Sequence, residues 1–222
     1  MHFPPKYLRT NGFTLVELLV VIAIMAILAY LTIPAFSSLS RAQAINQGIY
    51  DISSILQLGR SEAVARQTYV WVGFYQSTSA NNQPEVTIVA TSSLDGSTNM
   101  AAANLRNLTR PVQITGVSLT PWTGLNTKTQ TVFTNTTPGN VAPASVVGSN
   151  ASGMTFPTYT TDFTNTVTFT PRGEAMLNRT PTSDTPYDPY IDVSFKQPTQ
   201  SNNDASVVIE GGTGMVQTVR VQ

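Results

Sequence analysis

The sequence predicts an α+β fold, with one long N-terminal α-helix followed by a small β-rich head of mostly antiparallel strands. Two observations carry this. Residues Leu18 to Leu31 are apolar without a break, and the chain beyond Pro34 continues with apolar residues at spacings of three and four. After residue 67 the pattern changes to short β-branched and aromatic runs separated by Gly, Pro, Asn and Ser clusters. Charged residues make up only 11% of the 222 positions, and the polar remainder is rich in Thr, Ser and Asn. That mixture suits strands and loops better than a helical enzyme.

The first element is the segment "NGFTLVELLVVIAIMAILAYLTIPAF", Asn11 to Phe36. Lys6 and Arg9 precede it with no acid between them. Phe13 to Phe36 spans 24 residues, about 36 Å as a helix, which is one hydrocarbon thickness with some tilt. The basic flank predicts a cytoplasmic N-terminus with the remainder outside the cytoplasm. A secretory signal peptide needs a small-residue cleavage site after the apolar run, and "LAYLTIPAF" offers a poor one. A plain signal anchor accounts for length and orientation but leaves Glu17 as a costly carboxylate in lipid. A third reading places processing before the run, between Gly12 and Phe13.

The next stretch, "SSLSRAQAINQGIYDISSILQLGRSEAVARQ", carries Leu39, Ala42, Ile45, Ile49, Ile52, Leu56, Gly59 and Ala63 on one stripe. One helix from about Phe13 to Arg66 is therefore expected, apolar all round in its first half and one-sided in its second. Pro34 should kink it, because proline removes a backbone donor and clashes with the preceding turn. Arg60, Glu62 and Arg66 read either as contacts to neighbouring subunits or as a solvated helix face.

"TYVWVGFY" follows directly, and its alternation predicts a half-buried strand. "EVTIVA", "PVQITGVSL", "TQTVFT", "SGMTFP", "NTVTFTPRGEA", "YIDVSF", "ASVVIEG" and "GMVQTVRVQ" are the further strand candidates. "VVIEGGTGMVQTVRV" reads as a terminal hairpin turning at Gly211 to Gly214, and "VTFTPRGEA" as a strand ending at Pro171 with a turn at Gly173. Residues 94–107 and 135–152 read as exposed loop insertions. The domain organisation expected is residues 1–12 as a removable leader, 13–36 as the membrane or filament-core half of the helix, 37–66 as its amphipathic half, and 67–222 as the head.

The motif Gly12, then Phe13-Thr14-Leu15-Val16-Glu17, then the apolar stretch with Pro34 further on, resembles the type IV prepilin family. The resemblance implies a prepilin peptidase that cuts after Gly12 and methylates the new amine of Phe13. It gives Glu17 a role in filament assembly, pairing with the N-terminus of a neighbouring subunit and fixing axial register. The physics agrees: a cationic amine one helical turn from an acid makes a buried charge tolerable. "GRSEAVARQ" running into the first strand, the "F-x-P-x-G" pattern and the C-terminal hairpin resemble the GspH/FimT minor pseudopilins of type II secretion. Implied partners are prepilin peptidase, other pilin or pseudopilin subunits, the inner-membrane assembly platform and the membrane itself. The alternative is a membrane-anchored extracytoplasmic binding module that does not polymerise.

Other chemistry finds little support in the sequence. There is no cysteine, and the only histidine, His2, lies in the expected leader, which leaves no Ser-His-Asp triad or histidine cluster in the mature chain. An enzyme is not expected, nor any cofactor. No GxxxxGK[ST] loop occurs. Asp184, Asp188 and Asp192 in "DTPYDPYID" could contribute to a calcium site or simply be exposed loop acids. Formal net charge is zero, and loss of Lys6 and Arg9 would leave 10 basic against 12 acidic side chains. Nucleic-acid binding is therefore not expected.

Overall fold

The computed structural model describes residues 14–135, 137, 140–149, 153–177, 180–181, 187–198 and 200–220; the side chains of 31–42, 44 and 200–202 also lie outside that description. Contacts divide the chain into two units, Met1–Ser40 and Arg41–Gln222. Helix α1 runs over Leu15–Arg66, as the apolar run and stripe predict. It stops because Gln67 turns left-handed (φ 52°) and Thr68 N donates back to Ala63 O at 3.0 Å. The Gln67 amide satisfies a further end carbonyl, Val64 O, at 2.8 Å.

Within the second unit the stripe is buried through Ile45, Ile52, Ile55, Leu56 and Ala63. Leu39 and Ala42, also placed on it from the sequence, have side chains outside the described residues. Two sheets lie against it. The first contains β1 (Val70–Thr78), β2 (Pro84–Ser93), β3 (Leu105–Asn107), β4 (Val112–Thr115), β7 (Asn165–Phe169) and β8 (Ala175–Met176), in the order β3-β2-β1-β7-β8 with β4 also on β2. The second contains β5 (Ser118–Thr120), β6 (Ala144–Ser145), β9 (Tyr190–Gln197), β10 (Gln200–Glu210) and β11 (Val216–Val219), in the order β11-β10-β9-β5. Pairings are antiparallel except β6 with β9. Val70, Val72, Phe74, Val167 and Phe169 from the first sheet meet Ile191, Val193, Phe195, Val207 and Ile209 from the second in one core with the helix stripe. The fold is α+β and pilin-like.

The terminal hairpin forms where expected, with Ile209 opposite Val216 and Gly214 N bonded to Glu210 O at 2.6 Å. The turn at Gly173 also holds, closed by Thr170 N to Glu174 O at 2.9 Å.

Five expectations are corrected. "TQTVFT" is not a strand but part of helix α2 (Thr127–Thr134). Asn126 caps it by accepting from Lys128 N at 2.9 Å, and the buried Asp204 carboxylate receives Asn126 N and Thr129 Oγ1. Thr129 and Phe133, one turn apart, form its buried face. Capping and burial outweigh the strand propensity of the β-branched Thr and Val. "PVQITGVSL" breaks at Gly116 (φ 83°) into β4 and β5, which join different sheets. "SGMTFP" contributes one isolated bridge, Thr155 to Asp162, rather than a strand.

β1, expected to be half-buried, is covered on both faces over Val70 to Phe74. Trp71 packs in a second core with Met154, Phe156 and Phe163, and Gly73 leaves the space that the Phe156 ring occupies. Residues 94–107, expected to be a loop insertion, contain β3 and a polar knot. Asp95 accepts from Ser97 N, Asn104 Nδ2 and Ser93 Oγ at 2.9, 2.7 and 2.8 Å. The Ser97 donor leads in holding its carboxyl well below the usual carboxylate range.

Candidate assembly site at the helix N-terminus

The described chain begins one residue before α1, so Gly12 and Phe13 lie outside the described residues. Thr14 is the N-cap. Its hydroxyl accepts from Glu17 N at 3.2 Å, while Glu17 Oε2 receives both Thr14 N and Thr14 Oγ1 at 3.0 Å. This is a reciprocal capping box, and it satisfies two donors that no preceding turn can reach. The sequence carries its signature, Thr-x-x-Glu, so Glu17 has a capping role beside the membrane or assembly role expected of its charge. The carboxylate is exposed and sits in the first turn of α1.

Behind Glu17 the helix is apolar on every side and open. Leu15 is 79% exposed and Tyr30 is 78% exposed, with Leu18, Ile22, Met25 and Leu28 between them also exposed. Such a surface in one chain requires a covering phase, whether lipid or other apolar helices. Among the described residues, no helix is long and apolar enough to cross a membrane. Helix α1 runs through position 34 without a break in its assignment, and the Pro34 side chain lies outside the described residues.

Sites in the head resolve differently from their sequence readings. Glu62 Oε1 binds Arg66 Nε at 2.5 Å and Arg106 Nη2 at 2.6 Å, tying α1 to β3. Arg60 Nε donates to Thr213 O at 2.8 Å, fastening the terminal hairpin turn to the helix. These helix charges therefore serve the head's own architecture. Asp184 lies outside the described residues. Asp192 is no loop acid: it is a β9 residue with no exposed surface. Asp188 is half-buried, and burial raises its carboxyl above the usual range. Among the described residues, no three His, Asp or Glu side chains gather as a metal site would require.

The prokaryotic N-terminal methylation motif matches residues 8–29, a span that includes Gly12, Phe13 and the capping pair. The chain is type IV pilin-like. Two fimbrial proteins of Pseudomonas aeruginosa are each 26% identical to it over 102 residues, covering 41% of this chain and 66% of the relative. No solved structure matches the chain. The pilin-like reading therefore rests on the motif, on those relatives and on a long helix leading into an antiparallel head.

Proposed function

We propose that this pilin-type chain is a structural, non-catalytic subunit, a minor pilin or pseudopilin of the GspH/FimT kind. Prepilin peptidase would cut it between Gly12 and Phe13 and methylate the Phe13 amine. Before assembly, residues 13–36 would hold it in the inner membrane, N-terminus cytoplasmic and head outside the cytoplasm. Through the inner-membrane platform it would then join other subunits in a type II secretion pseudopilus or a type IV pilus.

One observation carries this reading. The motif's glutamate stands in the first turn of a helix whose apolar side chains are exposed on all sides. A methylated amine at residue 13 would place a cation one turn from that acid, and a neighbour's amine could replace Thr14 as its partner. The GspH/FimT assignment is supported by three features of the head. These are the near-direct passage from α1 into β1, the Phe169-Thr170-Pro171-Arg172-Gly173 turn and the C-terminal hairpin.

Mass spectrometry of the mature protein tests the processing step. The expected N-terminus is N-methylated Phe13, and a chain that begins elsewhere overturns it. Glu17→Ala tests assembly: incorporation beside wild-type subunits should fall severalfold or more. Normal incorporation would leave Glu17 as a helix cap alone. A processed chain that stays in the membrane and never enters filaments would instead be an anchored binding module.

A further inference from the structure

The second sheet carries a buried acid that the assembly reading does not use. Asp192 sits in the middle of β9, alternating with Ile191, Val193 and Phe195, which face the main core. Its own side chain therefore faces away from α1, toward the opposite surface of the sheet. It has no exposed surface, and neither carboxylate oxygen has a hydrogen-bond partner. Ser194 Oγ and Ser206 Oγ, opposite one another on β9 and β10, are likewise buried without partners.

The cover over this face is a small aromatic cap. Val208, directly across from Asp192, packs with Trp122, Leu125, Phe133 and Val219, and Tyr190 joins them. Trp122 belongs to the short 3-10 turn Trp122–Gly124 beside β9, and Phe133 to α2 beside β11. The Phe133 ring stands 5.4 Å from both Trp122 and Tyr190.

We propose that Asp192 is a proton-operated latch: as a neutral acid it lets the Trp122–α2 cap close over the second sheet, and as an anion it loosens that cap by drawing in water. A buried carboxylate whose nearest polar neighbours are a few serine hydroxyls, none in full hydrogen-bond geometry, is favoured as the neutral acid unless water reaches it. Burial accordingly pushes Asp192 up to about 7; the nearby Ser194 and Ser145 hydroxyls and its own backbone amide oppose that push without cancelling it.

Other ionisable groups on this side do not neutralise it by contact. On β9 they are Tyr190 and Lys196, and on β10 they are Asp204 and Glu210, two or more positions away along the strands. Lys128 on α2 is exposed, and Asp188 precedes β9. The Asp204 carboxylate is engaged by Asn126 and Thr129. β5, β6, β11 and the 3-10 turn contribute no ionisable side chain.

The sign follows from linkage. The closed state holds the proton more tightly than a hydrated carboxyl, whose ordinary value is 3.8. Cap stability is thus fully present below that value, falls as pH rises toward about 7, and is level above it. Cap opening should increase by up to about tenfold per pH unit across that window.

The test uses the full-length chain in detergent micelles. Hydrogen exchange of the α2 amides, corrected for the intrinsic pH dependence of exchange, should accelerate through this window in wild type. In Asp192→Asn it should be independent of pH. Because that variant could fold poorly, carbon-13 NMR of the wild-type aspartate carboxyls gives a second reading, with one resonance titrating near 7. Fluorine NMR of fluorotryptophan-labelled protein should show the Trp122 signal moving with that midpoint while the Trp71 signal stays fixed. Titration of Asp192 with the exposed acids, or an unchanged pH dependence of α2 in Asp192→Asn, would overturn the latch.

Discussion

Gly59 shows how a single position ties the helix to a sheet. A Cβ placed there would lie 3.1 Å from Val72 Cγ2 and 3.4 Å from Phe169 Cδ2, so the glycine lets α1 approach the first sheet closely. Gly59→Val should therefore destabilise the head by about 1–3 kcal/mol, read as a lower urea midpoint. The sequence put Gly59 on the buried stripe by spacing alone. It could not show that the opposing surface leaves no room for a side chain, since Val72 and Phe169 are distant in the chain. Asp192 illustrates the same limit. Alternation in "YIDVSF" places it on the face opposite the Ile191–Phe195 core, but an opposite face is ordinarily wet. Here that face is covered, and Asp192 has no exposed surface.

At the scale of elements, α2 is the clearest departure from local pattern. Its sequence is poor in helix formers, and its ends and buried face are fixed by partners from elsewhere. Asp204 on β10 takes Asn126 N and Thr129 Oγ1, 78 and 75 residues away in sequence. Asp204→Ala should leave those two donors without their acceptor, at a cost of about 1–3 kcal/mol for each buried donor left unsatisfied. Hydrogen exchange should then show α2 losing protection before the β1–β2 hairpin does. Equal loss in both would mean that Asp204 supports the whole head rather than α2. The elements legible from sequence were those whose signal is local and repeated, namely α1, β1, β2, β7, β9, β10 and the terminal hairpin. The segments misread, "TQTVFT" and "SGMTFP", are short, and their state is decided by what they cover.

At the scale of the whole molecule, assembly and head folding should be separable. Glu17 Oε2 bonds to Thr14, and the main core is built from Ile45 onward. Glu17→Ala should thus leave the head's thermal transition within about 1 °C of wild type, surface substitutions being near neutral, while filament incorporation falls. A lowered head transition in this variant would mean that assembly loss follows from misfolding. The split has a physical basis. The Leu15–Tyr30 side chains are exposed in the isolated chain and need an external apolar phase, whereas the head closes its own core around Ile45 to Ala63.

Local sequence pattern sets the long helix, the change from all-round to one-sided hydrophobicity, the processing motif and the antiparallel character of the head. These depend on periodicity and on short contiguous motifs, which neighbours in the chain express without help. The tertiary structure decided which strands share a sheet, that β1 is covered on both faces, that "TQTVFT" is helical and that Asp192 is dry. Each of these depends on contacts between residues far apart in the chain, where burial outweighs propensities of a few tenths of a kcal/mol.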